Sequence, residues 1–128
     1  MKKALGKVIV AFFVCLLSFA VVSPSPAMAA TEFCYLQQEP DCVRRLPLSG
    51  DLLYVDIPSY VSAIDVTYTN YSTEYEAVFN TNLGNPIAIP PYQSSEVITY
   101  PVQPASSAKF SNASRVTDTP VQIRVVAK

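Results

Sequence analysis

Glu74 and Glu76 stand two residues apart. On an extended strand that spacing puts both carboxylates on one face, about 7 Å apart, a separation that the acid and base of a glycoside hydrolase can use. Their neighbours on that face would be Thr67 and Thr69, which imply no cleft, so a solvated strand face is the simpler expectation. Asp65 could join the two glutamates around a calcium ion. Calcium takes six to eight oxygens, usually from a loop, and a flat sheet face offers too few. Lys109 lies between Ser107 and Ser111. A serine–lysine pair needs a desolvated lysine, whereas the alternation here turns Lys109 to solvent.

The chain contains no histidine, so the commonest general base and the commonest transition-metal ligand are both missing. Its three glycines, Gly6, Gly50 and Gly84, build no phosphate-binding loop. The expectation is a non-catalytic protein without metal or cofactor.

The carboxylates would be positioned by Val61 to Asn80, which reads as a β-hairpin. Ile64, Val66 and Tyr68 alternate with Asp65, Thr67 and Thr69. After a break, Tyr75, Ala77 and Phe79 alternate with Glu74, Glu76 and Asn80. Period-two alternation marks a half-buried strand. Folding at Tyr71-Ser72 pairs Tyr68 with Tyr75, Val66 with Ala77 and Ile64 with Phe79, all facing the core. A one-residue slip would bury both glutamates.

Residues 1–29 have the layout of a secretory signal. Lys2, Lys3 and Lys7 precede an apolar run from Val8 to Val22, and Ala27-Met28-Ala29 supplies a small-x-small cleavage motif. Cys15 leaves with this segment. No membrane insertion is expected of the remainder. Removing three lysines takes the formal charge from −1 to −4. That balance disfavours nucleic acid as a partner.

Cys34 and Cys42 remain, an even count that reads as a disulfide in an exported chain. Residues 30–49 hold Pro40 and Pro47 and little periodicity, and read as an N-terminal arm pinned by that disulfide. Residues 50–128 then carry seven strand-like runs with a turn signal at each joint. These are Asp51–Ile57, the two hairpin runs, Ile87–Ile89, Glu96–Tyr100, Ala108–Asn112 and Val121–Ala127. The expected fold is all-β, a seven-stranded antiparallel β-sandwich. The layout resembles small Ig-like or jelly-roll sandwiches of bacterial surfaces and viral appendages.

A weak internal echo runs through the domain. Leu53 to Pro58 followed by Ala63 to Ser72 is similar to Val97 to Pro104 followed by Ala108 to Ser114. Each unit ends in Asn-x-Ser, at Asn70 and Asn112. In a chain with a bacterial-looking signal these read as turn formers and not as glycan acceptors.

The remaining signal is tyrosine, eight residues, all after the signal segment. If each strand crosses the sandwich once, successive loops alternate between its ends. Parity then gathers Tyr71, Tyr92, Arg115 and Asp118 at one end, the ingredients of a binding patch. The expected function is a secreted or periplasmic module that uses these loops. Its partner would be another envelope or extracellular protein, or a further copy of itself. A small carbohydrate-binding module is the alternative, and a hydrolase using carboxylates alone a remote one.

Overall fold

A computed structural model describes residues 29–128; the expectations for the signal segment and Cys15 fall on residues 1–28, outside the described residues. The described chain is all-β and forms two sheets. Its strands are β1 (Thr31–Tyr35), β2 (Asp41–Leu46), β3 (Leu52–Ile57), β4 (Ala63–Asn70), β5 (Ala77–Thr81), β6 (Gly84–Ile89), β7 (Ile98–Pro101), β8 (Ser106–Asn112) and β9 (Val121–Ala127). One sheet runs β1-β3-β8-β5-β6 and the other β2-β9-β4-β7.

Alternation decides what lies between them. Leu53, Val55 and Ile57 of β3 point inward, as do Ala108 and Phe110 of β8, and Val121, Ile123 and Val125 of β9. Tyr68 sits at the middle, its ring 4.7 Å from that of Phe79 and 6.2 Å from that of Phe110. Its hydroxyl meets that of Tyr100 at 3.0 Å inside the core. Burial, and then the Tyr100 hydroxyl, hold the Tyr68 phenol far above its ordinary range, so it stays neutral.

The central hairpin does not form. β4 pairs with β7 and β9, whereas β5 pairs with β6 and β8 in the other sheet. The inward faces are those expected, since Ile64, Val66, Tyr68, Ala77 and Phe79 are all buried. Alternation reports which side of a strand meets the core. A partner in the same sheet and a partner across the core satisfy it equally. Residues 71–76 are therefore an arch between sheets. Glu74, Tyr75 and Glu76 lie in that arch, exposed, and not on a strand face. Tyr75, expected in the core opposite Tyr68, is 43% exposed.

Residues 30–49 are not an arm outside the sandwich. β1 pairs with β3 in parallel and β2 pairs with β9 antiparallel, so the sandwich holds nine strands among the described residues, and one pair departs from the antiparallel pattern. Cys34 and Cys42 are disulfide-bonded, with Cα atoms 6.0 Å apart. The bond lies inside the strands and clips one edge strand of each sheet together. The inward sets Cys34, Leu36 and Cys42, Leu46 are too short to stand out beside Pro40 and Glu39.

The internal echo has a structural counterpart. In the larger sheet the order β3-β8-β5-β6 matches β7-β4-β9-β2 of the smaller one, strand for strand. Val55↔Ala108 and Ile57↔Ser106 correspond to Ile98↔Val66 and Tyr100↔Ile64. β2 occupies the place that a strand following β9 would take.

The two Asn-x-Ser sites end the matching strands β4 and β8. Asn70 Nδ2 donates to the carbonyls of Tyr75, Ile89 and Pro90, and Asn112 Nδ2 donates to those of Leu46 and Thr119. Each Oδ1 accepts the N–H of the serine two residues on, the Asx turn expected of such residues. Both side chains are buried and tie one sheet to the crossing loops, which satisfies backbone carbonyls that the arch would otherwise leave without donors.

Candidate functional site

Four connections meet at the end of the sandwich where β4 and β8 stop. They are 47–51, 71–76, 90–97 and 113–120. Backbone hydrogen bonds join them edge to edge: Ser49 N–H to Thr117 O at 2.9 Å, Tyr71 N–H to Pro120 O at 2.9 Å, and Tyr92 N–H to Ser72 O at 2.8 Å. The Ser49 hydroxyl also donates to the Ser114 carbonyl. Loops tied this way present their side chains from a fixed base.

Tyr71 is the hub. Its hydroxyl donates to Gln122 Oε1 at 3.2 Å, and the Arg45 guanidinium lies 4.4 Å above its ring. Arg45 of β2 and Gln122 of β9 are directly opposite one another, which aims both at Tyr71. One shallow depression beside Tyr71 is lined by Thr69, Asn70, Tyr92, Gln93 and Ser94. A second is lined by Ser72, Thr73, Glu74, Tyr75, Asp118 and Pro120.

Tyr92 is the most exposed large apolar residue at this end, at 72%, and its backbone has φ 57°. A bulky residue in the left-handed region costs on the order of 1–3 kcal/mol and persists only where the surroundings impose it. Here the bond to Ser72 and the Asn70 N–H bond to Gln93 O impose it.

The structure thus brings Tyr71, Tyr92 and Asp118 to one end. Arg115 shares the loop of Asp118 and is exposed, but none of the described hydrogen bonds or salt bridges uses its guanidinium. The guanidinium that packs on Tyr71 comes from Arg45. Arg45 lies on β2, in the segment expected to be an arm, so the expected patch does not include it. Arg44 turns elsewhere, to Glu39 at 2.8 Å, and Arg124 pairs with Asp41 at 2.6 Å. Those arginine hydrogen bonds hold the Glu39 and Asp41 carboxyls below their ordinary range.

A second surface was not legible in advance. Phe33 and Tyr35 point outward from β1, at 48% and 50% exposure, and Tyr54 stands opposite Phe33 on β3. The Phe33 ring lies 6.2 Å from Tyr35 and 6.0 Å from Tyr54, with planes within 13° and 22° of parallel. Lys109 Nζ is 5.9 Å above Tyr54, and a polar depression lined by Asn80, Thr81, Asn82, Lys109 and Ser111 adjoins it. The i, i+2 spacing of Phe33 and Tyr35 is the available signal, hidden by the reading of 30–49 as an arm.

No group of three or more His, Cys, Asp or Glu side chains able to hold a metal ion occurs among the described residues. No protein-family model matches the chain, and no curated protein matches its sequence. Among solved structures it is similar to a predicted oxalate decarboxylase from Thermotoga maritima, at 17% identity and a TM-score of 0.36. The match covers 69% of this chain and 65% of that one, so the alignment spans less than two thirds of the relative. A likeness this distant carries no chemistry from one protein to the other.

Proposed function

We propose that this protein is an exported, non-catalytic β-sandwich that binds or assembles with another envelope or extracellular protein through the loop end carrying Tyr71 and Tyr92. The observation that carries the reading is Tyr92, an exposed aromatic held in a costly backbone conformation by loops that are themselves hydrogen-bonded together. Rigid tyrosines bring large contact area at low entropic cost, which is what a binding surface needs. Tyr71, fixed by Arg45 and Gln122, supplies a second preorganised ring beside it. The Cys34–Cys42 disulfide fits an oxidising compartment, secreted or periplasmic.

Crosslinked capture from the native envelope tests this, with wild-type protein and a Tyr71→Ala, Tyr92→Ala variant compared side by side. The partner bands present with wild type should fall by roughly tenfold or more in the variant, the weight of a small aromatic hot spot. Equal capture by both proteins would overturn the reading.

Glycan binding is the second reading, and the row formed by Phe33, Tyr35 and Tyr54 favours it. Near-parallel rings beside a depression rich in amides and hydroxyls suit the apolar faces and hydroxyl edges of sugar rings. On a glycan array, micromolar binding lost in a Phe33→Ala, Tyr54→Ala variant and retained without Tyr92 would establish it. The absence of any glycan ligand would remove it.

A further inference from the structure

At the entry to β1, the Ala30 N–H donates to Asp51 Oδ1 at 2.7 Å, and the Leu48 N–H donates to Asp51 Oδ2 at 2.8 Å. Asp51 has none of its surface exposed, and it takes part in none of the salt bridges among the described residues. A buried carboxylate held only by neutral amide dipoles keeps much of its desolvation cost, which a full positive charge nearby would offset. The small-x-small motif Ala27-Met28-Ala29 ends one residue before the nitrogen that Asp51 contacts.

We propose that export processing between Ala29 and Ala30 completes this fold by creating a part-buried ion pair between the new α-ammonium group and the Asp51 carboxylate. The inference rests on the exported reading of the chain. An export protease adds water across the Ala29–Ala30 peptide bond. Ala29 departs with a carboxylate. The Ala30 nitrogen keeps its proton and takes up more, because an α-amino group has a pKa near 8 and is mostly charged at pH 7.

The site is already built for that terminus. Ala30 O accepts the Leu52 N–H at 2.9 Å, and Thr31 pairs with Leu52, so β1 holds the nitrogen in register against Asp51. Asp51 in turn anchors the shared loop end, since its carbonyl accepts the Asn112 N–H at 3.0 Å. Processing would thereby stabilise the same end of the sandwich that carries Tyr71 and Tyr92. The precursor, with an amide at this position, keeps the hydrogen bond and lacks the charge.

Three oxidised chains separate charge from hydrogen bonding: one starting at Ala30 with a free amine, the same chain N-acetylated, and one starting at Ala29. Acetylation preserves the Ala30 N–H and removes only its charge. The free Ala30 chain should melt about 5 °C or more above the other two. In an Asp51→Asn background the gap between free and acetylated chains should close. Equal melting of the free and acetylated wild-type chains overturns the ion pair, and needs no folded variant to do so. A gap that survives Asp51→Asn overturns it as well. The intact mass of the exported protein should correspond to an Ala30 terminus. Export with a different terminus overturns this proposal and leaves the exported reading standing, whereas retention of residues 1–29 overturns both.

Discussion

Replacing Phe79 with alanine should cost about 3–5 kcal/mol of folding stability, the range for emptying a buried aromatic site. Phe79 has no exposed surface and reaches from β5 across to Tyr68 of β4, 4.7 Å between ring centres. It is therefore a contact between sheets as well as a filler of one. The cavity would not collapse readily. The Tyr68 hydroxyl is tied to Tyr100 at 3.0 Å, and the β5 backbone is held on both sides, by Ile87 of β6 and Asn112 of β8. A domain of this size has a total stability of about 5–15 kcal/mol, so the loss would remove between about a fifth and all of it. Urea denaturation should show a much lower midpoint with an unchanged slope. Tyr92→Ala, which removes mostly exposed surface, should move the midpoint by less than roughly 0.5 kcal/mol equivalent. A Phe79→Ala effect as small as that of Tyr92→Ala would mean that the two sheets do not meet through this ring.

Loss of the disulfide, in a Cys34→Ala, Cys42→Ala variant, should cost about 3–5 kcal/mol. Chain entropy accounts for about 2.5 kcal/mol of this, because the closed loop is short. The rest follows from where the bond lies. Among the described residues β1 has a single hydrogen-bonded neighbour, β3, and β2 a single one, β9. The disulfide joins these two edge strands across the open side of the sandwich, and both cysteines are fully buried. Without it each edge can fray separately. Hydrogen exchange should show protection lost first in β1 and β2, with the central strands β8 and β4 protected longest. A loss below about 1 kcal/mol, with β1 still protected, would show that strand pairing alone holds the edges.

Much of this molecule was legible from alternation and punctuation. The inward residues of β3, β4, β8 and β9 follow from period two, and those of β5 do too, even though it pairs with β6 and β8 and not with β4. The two glutamates are in solvent, and Cys34 is bonded to Cys42, as charge and cysteine count imply. The gathering of Tyr71, Tyr92 and Asp118 at one end needs only that the chain reverse at each turn, a property of connectivity that the sequence displays.

Pairing was not legible. Backbone N–H and C=O groups are alike at every residue, so nothing in the side-chain pattern of β4 says whether β5 lies beside it or across the core from it. Tertiary structure decided this through specific bonds: Asn70 and Asn112 satisfy the carbonyls of the crossing loops, and β7 and β9 take both edges of β4. Neighbours that depend on pairing were hidden for the same reason. Arg45 reaches Tyr71 only because β2 lies beside β9, and Phe33 meets Tyr54 only because β1 runs parallel to β3. By itself the sequence determined which side of each recognised strand is wet and where the chain turns, since those depend on one residue's polarity at a time. Which strands are neighbours, and so which side chains share a surface, depends on distant segments competing for the same hydrogen bonds, and only the folded chain resolved that competition.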